Sequence, residues 1–201
     1  SGRSFSRRLQ EAVAMAVDLH GSQFRKGGST PYLSHLMMVA ALVLEHGGDE
    51  EEAVAALLHD AAEDQGGAET LAAIDRRFGH RVAEIVRGCS DTLERPKPSW
   101  RRRKSAFLER LPAASSSVAL VVLADKSHNA GSLVADLESD GPRVWRRFRA
   151  DPEQIVGYYA AIVDVLGRRE ELRDHPLLRR LRASLEALRG HVQLSGSRVR
   201  N

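Results

Sequence analysis

Apolar residues recur at helical spacing along almost the whole chain. Leu9, Ala12, Val13, Ala16 and Val17 repeat at three- and four-residue steps, and Leu36, Val39, Ala40, Val43 and Leu44 do the same. The period predicts further helices over about 50–63, 69–77, 79–88, 100–111, 116–138, 153–168 and 176–189. Turn chemistry separates them at Gly27-Gly28, Gly47-Gly48, Gly66-Gly67, Arg95-Pro96-Lys97-Pro98, Gly141-Pro142 and Asp151-Pro152. Asp151-Pro152-Glu153 reads as an N-cap, a proline at the first helical position and an early acid. Val118–Leu123 is partly β-branched, but it runs straight into the helical pattern of Ala124–Leu137 and is assigned to helix. There is no repeat at a fixed period and no linker long enough to divide the chain. The pattern predicts an all-α, single-domain, irregular bundle of eight to ten helices over residues 1–192. A tail at 193–201, without a core-facing pattern, is expected to be disordered.

Composition narrows the class. Of the 201 residues 42% are hydrophobic and only 5% aromatic, so aliphatic side chains must build the core. No stretch approaches the roughly 20 apolar residues that cross a bilayer. The single cysteine, Cys89, excludes an internal disulfide framework and a multi-thiolate zinc site, and fits a reducing compartment. A net charge of +3 permits an anionic substrate without demanding nucleic acid. A soluble cytoplasmic protein is expected.

The chemistry centres on His59-Asp60-Ala61-Ala62-Glu63-Asp64. One His-Asp pair is unremarkable in a chain with eight histidines, but Glu and Asp at the two further positions are not expected by chance. Glu63 is four residues after His59 and Asp64 four after Asp60, which on one helix puts each carboxylate a turn from a potential ligand. An acid or base there reaches a metal-bound water or a departing group. Clustered acids also decorate ordinary helix surfaces, and a histidine near a helix end can simply answer the dipole. Against that, the preceding run Ala53–Leu58 is wholly apolar, placing His59 and Asp60 at the end of a buried helix where unpaired polar groups are costly.

Two further segments look like the remaining ligands. Thr30-Pro31-Tyr32-Leu33-Ser34-His35 puts a histidine at the opening of the second helix, where a lone histidine would ordinarily be a cap or core residue. Leu120–Lys126 puts Asp125 in an otherwise apolar helix, and a buried carboxylate needs a cation or strong donors. Asn129 follows four residues later on the same face. Two imidazoles and two carboxylates suit Mn²⁺, Fe²⁺, Zn²⁺ or Mg²⁺.

Arg25-Lys26, Thr-Pro-Tyr-x-x-His at 30–35, His-Asp-x-x-Glu-Asp at 59–64 and Leu-Ala-Asp-Lys-x-x-Asn at 123–129, in that order, resemble the HD-domain hydrolases of the RelA/SpoT type. Within them, the small stand-alone alarmone hydrolases of the metazoan SpoT kind are most similar. The resemblance covers about residues 8–168. It implies Mn²⁺-dependent removal of the 3′-pyrophosphate from guanosine tetra- or pentaphosphate, with other divalent metals also able to serve. It implies metal ligation by His35, His59, Asp60 and Asp125, and catalytic acids at Glu63 and Asp64. Arg25 is implied at the purine, Lys26 near phosphate, and Asn129 at the nucleotide or a coordinating group. The long family members carry a synthetase domain that this length does not accommodate, so hydrolysis without synthesis is implied. The expected partner is a nucleotide, not nucleic acid or membrane; self-association stays open.

Other signals are weaker. Arg101-Arg102-Arg103-Lys104 reads first as a solvated helix face and second as a phosphate contact. Tyr158 or Tyr159 could bring a hydroxyl to the ribose, with packing an equal reading. Trp145 and Phe148 read as core. His20 and His128 flank the site without being assigned to metal. One departure touches the substrate: where many alarmone enzymes continue with an arginine after the Asn129 motif, this chain has Ala130-Gly131-Ser132. A different nucleotide therefore stays open, whether an adenosine alarmone, a nucleoside monophosphate or a phosphorylated dinucleotide such as NADPH. So does a non-catalytic scaffold that only binds nucleotide.

Overall fold

The computed structural model describes residues 5–198, which fold into ten α-helices and three 3-10 segments without a strand. Val118–Leu123 is helical, as its continuity with the following pattern predicts. A first compact unit ends at Ala124 and a second begins at Asp125, within one unbroken helix.

The first unit holds α1 (Arg7–His20), α2 (Tyr32–Glu45), α3 (Glu50–Leu58), α4 (Ala61–Asp64), α5 (Ala68–Phe78), α6 (His80–Cys89), α7 (Trp100–Arg110) and the start of α8 (Ser116–Asp140). Helix α3 is its axis. Every residue from Ala53 to Leu58 is buried, and α1, α2 and α6 pack around it. A helix apolar on all sides belongs inside a protein, and three alanines there let its neighbours approach closely. Its start is fixed by a capping box. The Asp49 side chain accepts from the Glu52 N–H at 2.9 Å, and the Asp49 N–H donates back to Glu52 at 2.7 Å. Gly79, at φ +94°, ends α5 and opens α6 in a conformation that side-chain-bearing residues rarely adopt.

The predicted helix over 50–63 breaks at its chemical motif. Helix α3 stops at Leu58, His59 keeps helical dihedrals, and Asp60 flattens to φ −96°, ψ −5° before the single turn of α4. The His59 ring supplies the reason. Its Nδ1 lies 2.7 Å from the Ala56 carbonyl, the acceptor that a continuing helix reserves for the Asp60 N–H.

The second unit holds the rest of α8, a 3-10 segment (Gly141–Arg147), α9 (Pro152–Gly167) and α10 (Pro176–Arg198). Ile155, Tyr159, Ile162 and Leu166 of α9 lie on one buried stripe, and Leu177, Leu178, Leu181, Leu185 and Leu188 of α10 on another. The two helices pack together. Pro152 opens α9 as its N-terminal signal predicts, with the Asp151 N–H donating to Gln154 at 3.1 Å. Trp145 is core, and Phe148 is half-buried. Helix α10 carries on to Arg198 through most of the expected tail; residues 199–201 lie outside those described.

Candidate active site

Helix α2 positions the first histidine. The loop before it folds back on itself: the Arg25 N–H donates to the Thr30 carbonyl at 2.9 Å, and the Tyr32 N–H donates to the Gln23 carbonyl at 2.8 Å. His35, one turn into α2, is completely buried. Its ring meets that of His59 nearly edge-on, with centroids 5.4 Å apart.

Because a carbonyl only accepts, the Ala56 contact puts the His59 proton on Nδ1 and leaves the Nε2 lone pair available. That Nε2 lies 3.1 Å from Asp60 Oδ2, and His35 Nε2 lies 3.9 Å from the same oxygen. The Tyr32 hydroxyl donates to this carboxylate and orients it. Donor atoms of His35, His59 and Asp125 lie within 4.8 Å of one another. Of the four expected ligands, three form this buried cluster, and Asp60 adjoins both histidines. Around Asp125, the Asn129 amide donates to one carboxylate oxygen, and Lys126 Nζ lies 2.6 Å from the other. Burial works against the Lys126 charge, but Asp125 and Tyr158 outweigh it and hold the ammonium well above its ordinary pKa. Two imidazoles, one with its tautomer fixed, beside carboxylates oriented by Tyr32 and Asn129 form a donor set that fits a divalent cation of mixed nitrogen and oxygen preference.

The predicted acids lie on α4. The Asp64 N–H donates to the Asp60 carbonyl at 2.9 Å, so the Asp60–Asp64 turn survives. The His59–Glu63 spacing crosses the helix break, and Glu63 instead meets Asp91, in the loop after α6. The Asp91 N–H donates to Glu63 Oε2 at 3.1 Å. Burial first, then the charges of Asp91 and Asp60, push the Glu63 carboxyl up to about 7. Burial also penalises the Asp91 charge, but Lys104 and Arg103 overcome it and hold that carboxyl down to about 2. Lys104 Nζ lies 2.7 Å and Arg103 Nη1 2.6 Å from Asp91 Oδ2. Lys97 lies 2.8 Å from Asp64 and 3.4 Å from Glu63. Arg95 donates to the Glu63 carbonyl at 2.7 Å.

The basic run therefore divides. Arg101 and Arg102 are exposed, as a solvated face requires, whereas Arg103 and Lys104 turn inward to Asp91 and Glu63. Phe107 explains the division: it is buried, and Arg103 and Lys104 lie four and three residues before it on the same helix face. That spacing was readable in the sequence. Asp91 carries one visible signal in the sequence, its place just after the end of α6. Of the flanking histidines, His20 is buried, with Nδ1 2.8 Å from the Gln23 side-chain oxygen. The Gln23 amide in turn points at Asp64 from 3.4 Å. Arg25 lies over the Tyr32 ring at 5.9 Å. Lys26 is exposed by area, yet partial desolvation and then Lys104 lower its pKa. Tyr158 is half-buried with Lys126 Nζ 5.9 Å from its ring centre, while Tyr159 is core.

The fold and the site define an all-helical protein whose buried His35, His59 and Asp125 fit a divalent cation, with a pair of acids on α4. Residues 12–155 match the model of the HD domain. The chain belongs to the HD-domain family. Over 144 residues it is 37% identical to "Guanosine-3′,5′-bis(diphosphate) 3′-pyrophosphohydrolase MESH1" of Xenopus tropicalis, covering 70% of this chain and 75% of that one. It is 35% identical over 135 residues to "Bifunctional (p)ppGpp synthase/hydrolase SpoT" of Escherichia coli K12, covering 63% of this chain. The match takes in only 18% of that longer relative. A solved structure described as a metazoan ortholog of SpoT that hydrolyzes ppGpp superposes with a TM-score of 0.74 at 26% identity. That superposition covers 92% of this chain and 97% of the other. The structure of lmo0812 from Listeria monocytogenes EGD-e gives 0.66 at 28% identity, covering 76% and 96%. Among the described residues no helix is long and apolar enough to cross a membrane.

Proposed function

We propose that this chain is a divalent-metal-dependent 3′-pyrophosphohydrolase of guanosine tetra- and pentaphosphate, releasing GDP or GTP and pyrophosphate. The buried His35, His59 and Asp125 cluster carries the reading. Support comes from relatives whose names state that activity. Residues 1–192 act as one phosphohydrolase domain in this proposal. His35, His59, Asp60 and Asp125 hold the cation, and Mn²⁺ is the ion we assign to them. When bound, such a cation polarises a phosphoryl oxygen and lowers the pKa of a water. Glu63 and Asp64 orient the attacking water and move its protons. Lys26 and Lys97 meet the phosphates, Arg25 the purine, Asn129 steadies Asp125, and Tyr158 meets the ribose. The substrate is an intracellular nucleotide, which assigns the enzyme to the cytoplasm.

The test is product analysis. Protein stripped of metal and reloaded with Mn²⁺ is incubated with guanosine tetraphosphate, and the products are separated by ion exchange. We expect GDP and pyrophosphate, lost with chelator and in Asp60→Ala. Intact substrate beside metal-loaded protein would overturn the reading. A panel of adenosine alarmones, nucleoside monophosphates and phosphorylated dinucleotides then follows, because Ala130, fully buried, stands next to Gly131 where many family members carry a cation.

A further inference from the structure

Glu63 and Asp91 form a carboxyl pair that the proposed reaction does not by itself require. The Asp91 N–H donates to Glu63 Oε2 at 3.1 Å, and Arg103 Nη1 spans both carboxyl groups, 2.6 Å from Asp91 and 3.5 Å from Glu63; two carboxyl groups held this close favour keeping one proton between them. Asp91 is the more deeply buried of the two, 3% exposed against 17% for Glu63. Arg103 and Lys104 both fall on Asp91 Oδ2, at 2.6 and 2.7 Å. Its Oδ1 is buried with no fixed donor opposite it. A carboxylate saturated with cations on one oxygen keeps its charge. The proton of the pair then belongs to Glu63.

We propose that Asp91 is a positioning residue for this site: it orients Glu63 as a proton donor and holds Arg103 and Lys104 beside it. The inference rests on the hydrolytic reading above and divides the labour of the two acids. The oxygen of water forms the new bond to phosphorus, and its proton passes to the Asp64 carboxylate. The bond from phosphorus to the ribose 3′ oxygen breaks with its electron pair going to that oxygen, which takes the Glu63 proton. Exchange with solvent then restores both acids. Arg103 Nη1, 3.5 Å from Glu63 as well as on Asp91, faces the charge that develops on the phosphoryl group. The direction of the Glu63 pKa agrees with this role, since a group held near neutrality is matched to proton donation at working pH.

The titratable and charged groups facing Glu63 are Asp91, Asp60, Lys97, Arg103, Lys104 and Lys26. Two of them give opposite signs. Asp91→Asn keeps the shape and removes the negative charge, so Glu63 loses its proton at lower pH. Lys104→Gln removes a cation from the pair, so Glu63 holds its proton to higher pH.

The experiment follows the Glu63 carboxyl carbon by NMR in ¹³C-glutamate-labelled, Mg²⁺-loaded protein, with Glu63→Gln assigning the resonance. It is paired with the pH profile of kcat on guanosine tetraphosphate. We expect the titration and the alkaline limb of kcat to move together, down by about one unit in Asp91→Asn and up in Lys104→Gln. Unmoved or same-direction shifts in the two variants would overturn the proposal. If Asp91→Asn does not fold, Lys104→Gln alone decides by the sign of its shift. A wild type that turns over nothing while the two titrations still shift oppositely removes the hydrolytic reading and leaves the carboxyl pair intact.

Discussion

Replacing Glu63 by glutamine exposes the energetic consequence of burying this acid. The carboxyl rises from 4.5 to about 7, because burial and then Asp91 and Asp60 oppose its charge. A group whose folded pKa is raised contributes stability that is full below its unfolded pKa and is lost as pH climbs through the folded one. The window here runs from about pH 4.5 to about 7. Each pKa unit corresponds to about 1.4 kcal/mol, so the loss across the window is on the order of 3 kcal/mol. Asp91 does not confuse the reading. Its pKa is lowered from 3.8 to about 2, so its stabilising share is complete above 3.8 and lost only as pH falls toward 2. Glutamine at 63 keeps the volume and does not ionise. The assay is urea unfolding of metal-free wild type and Glu63→Gln, followed by circular dichroism at half-unit steps from pH 5 to 8. Relative to the variant, the wild type should lose on the order of 3 kcal/mol as pH rises. With an m-value of about 2 kcal/mol/M, that is a midpoint difference of roughly 1.5 M. Parallel profiles for the two proteins would refute the reasoning.

Three further outcomes follow from packing and ligation. A divalent ion at about a hundred times its dissociation constant adds about 2.7 kcal/mol to the wild type. His59→Ala should lose most of that thermal shift in Mn²⁺ titrations, and an undiminished shift would remove His59 from the ligand set. Phe107→Ala should cost about 3–5 kcal/mol in chemical denaturation, because the ring is 1% exposed and fixes the α7 face that carries Arg103 and Lys104. Gly88→Ala should destabilise by about 1–3 kcal/mol despite the better helix propensity of alanine, since a Cβ there would sit 2.5 Å from a Val118 methyl carbon. A stabilised Gly88→Ala would show that α6 and α8 can part at little cost.

Much of this architecture follows from short-range pattern. The apolar spacing marks the long helices of both units, the Asp151-Pro152 start is local chemistry, and the all-apolar run Ala53–Leu58 already implies a central helix. The ligand-type residues were legible for the same reason: a histidine or carboxylate inside an apolar helix stands out wherever its partners lie. What spacing could not reveal is the break at His59, because it arises when a side chain takes a backbone carbonyl from the helix that carries it. Nor could it reveal Asp91, which is 28 residues from Glu63 and reaches it only through the packing of α6 against α3. Arg103 and Lys104 turn inward because Phe107 is buried, although they share a charge run with two exposed arginines. By itself, then, the sequence determined where the long helices run and which side chains have the chemistry of candidate ligands, since period and residue chemistry are local properties. Tertiary structure alone decided how Glu63 and Asp91 are charged. Proton affinity depends on burial and on charges distant along the chain, and only the packed fold brings these within a few ångströms.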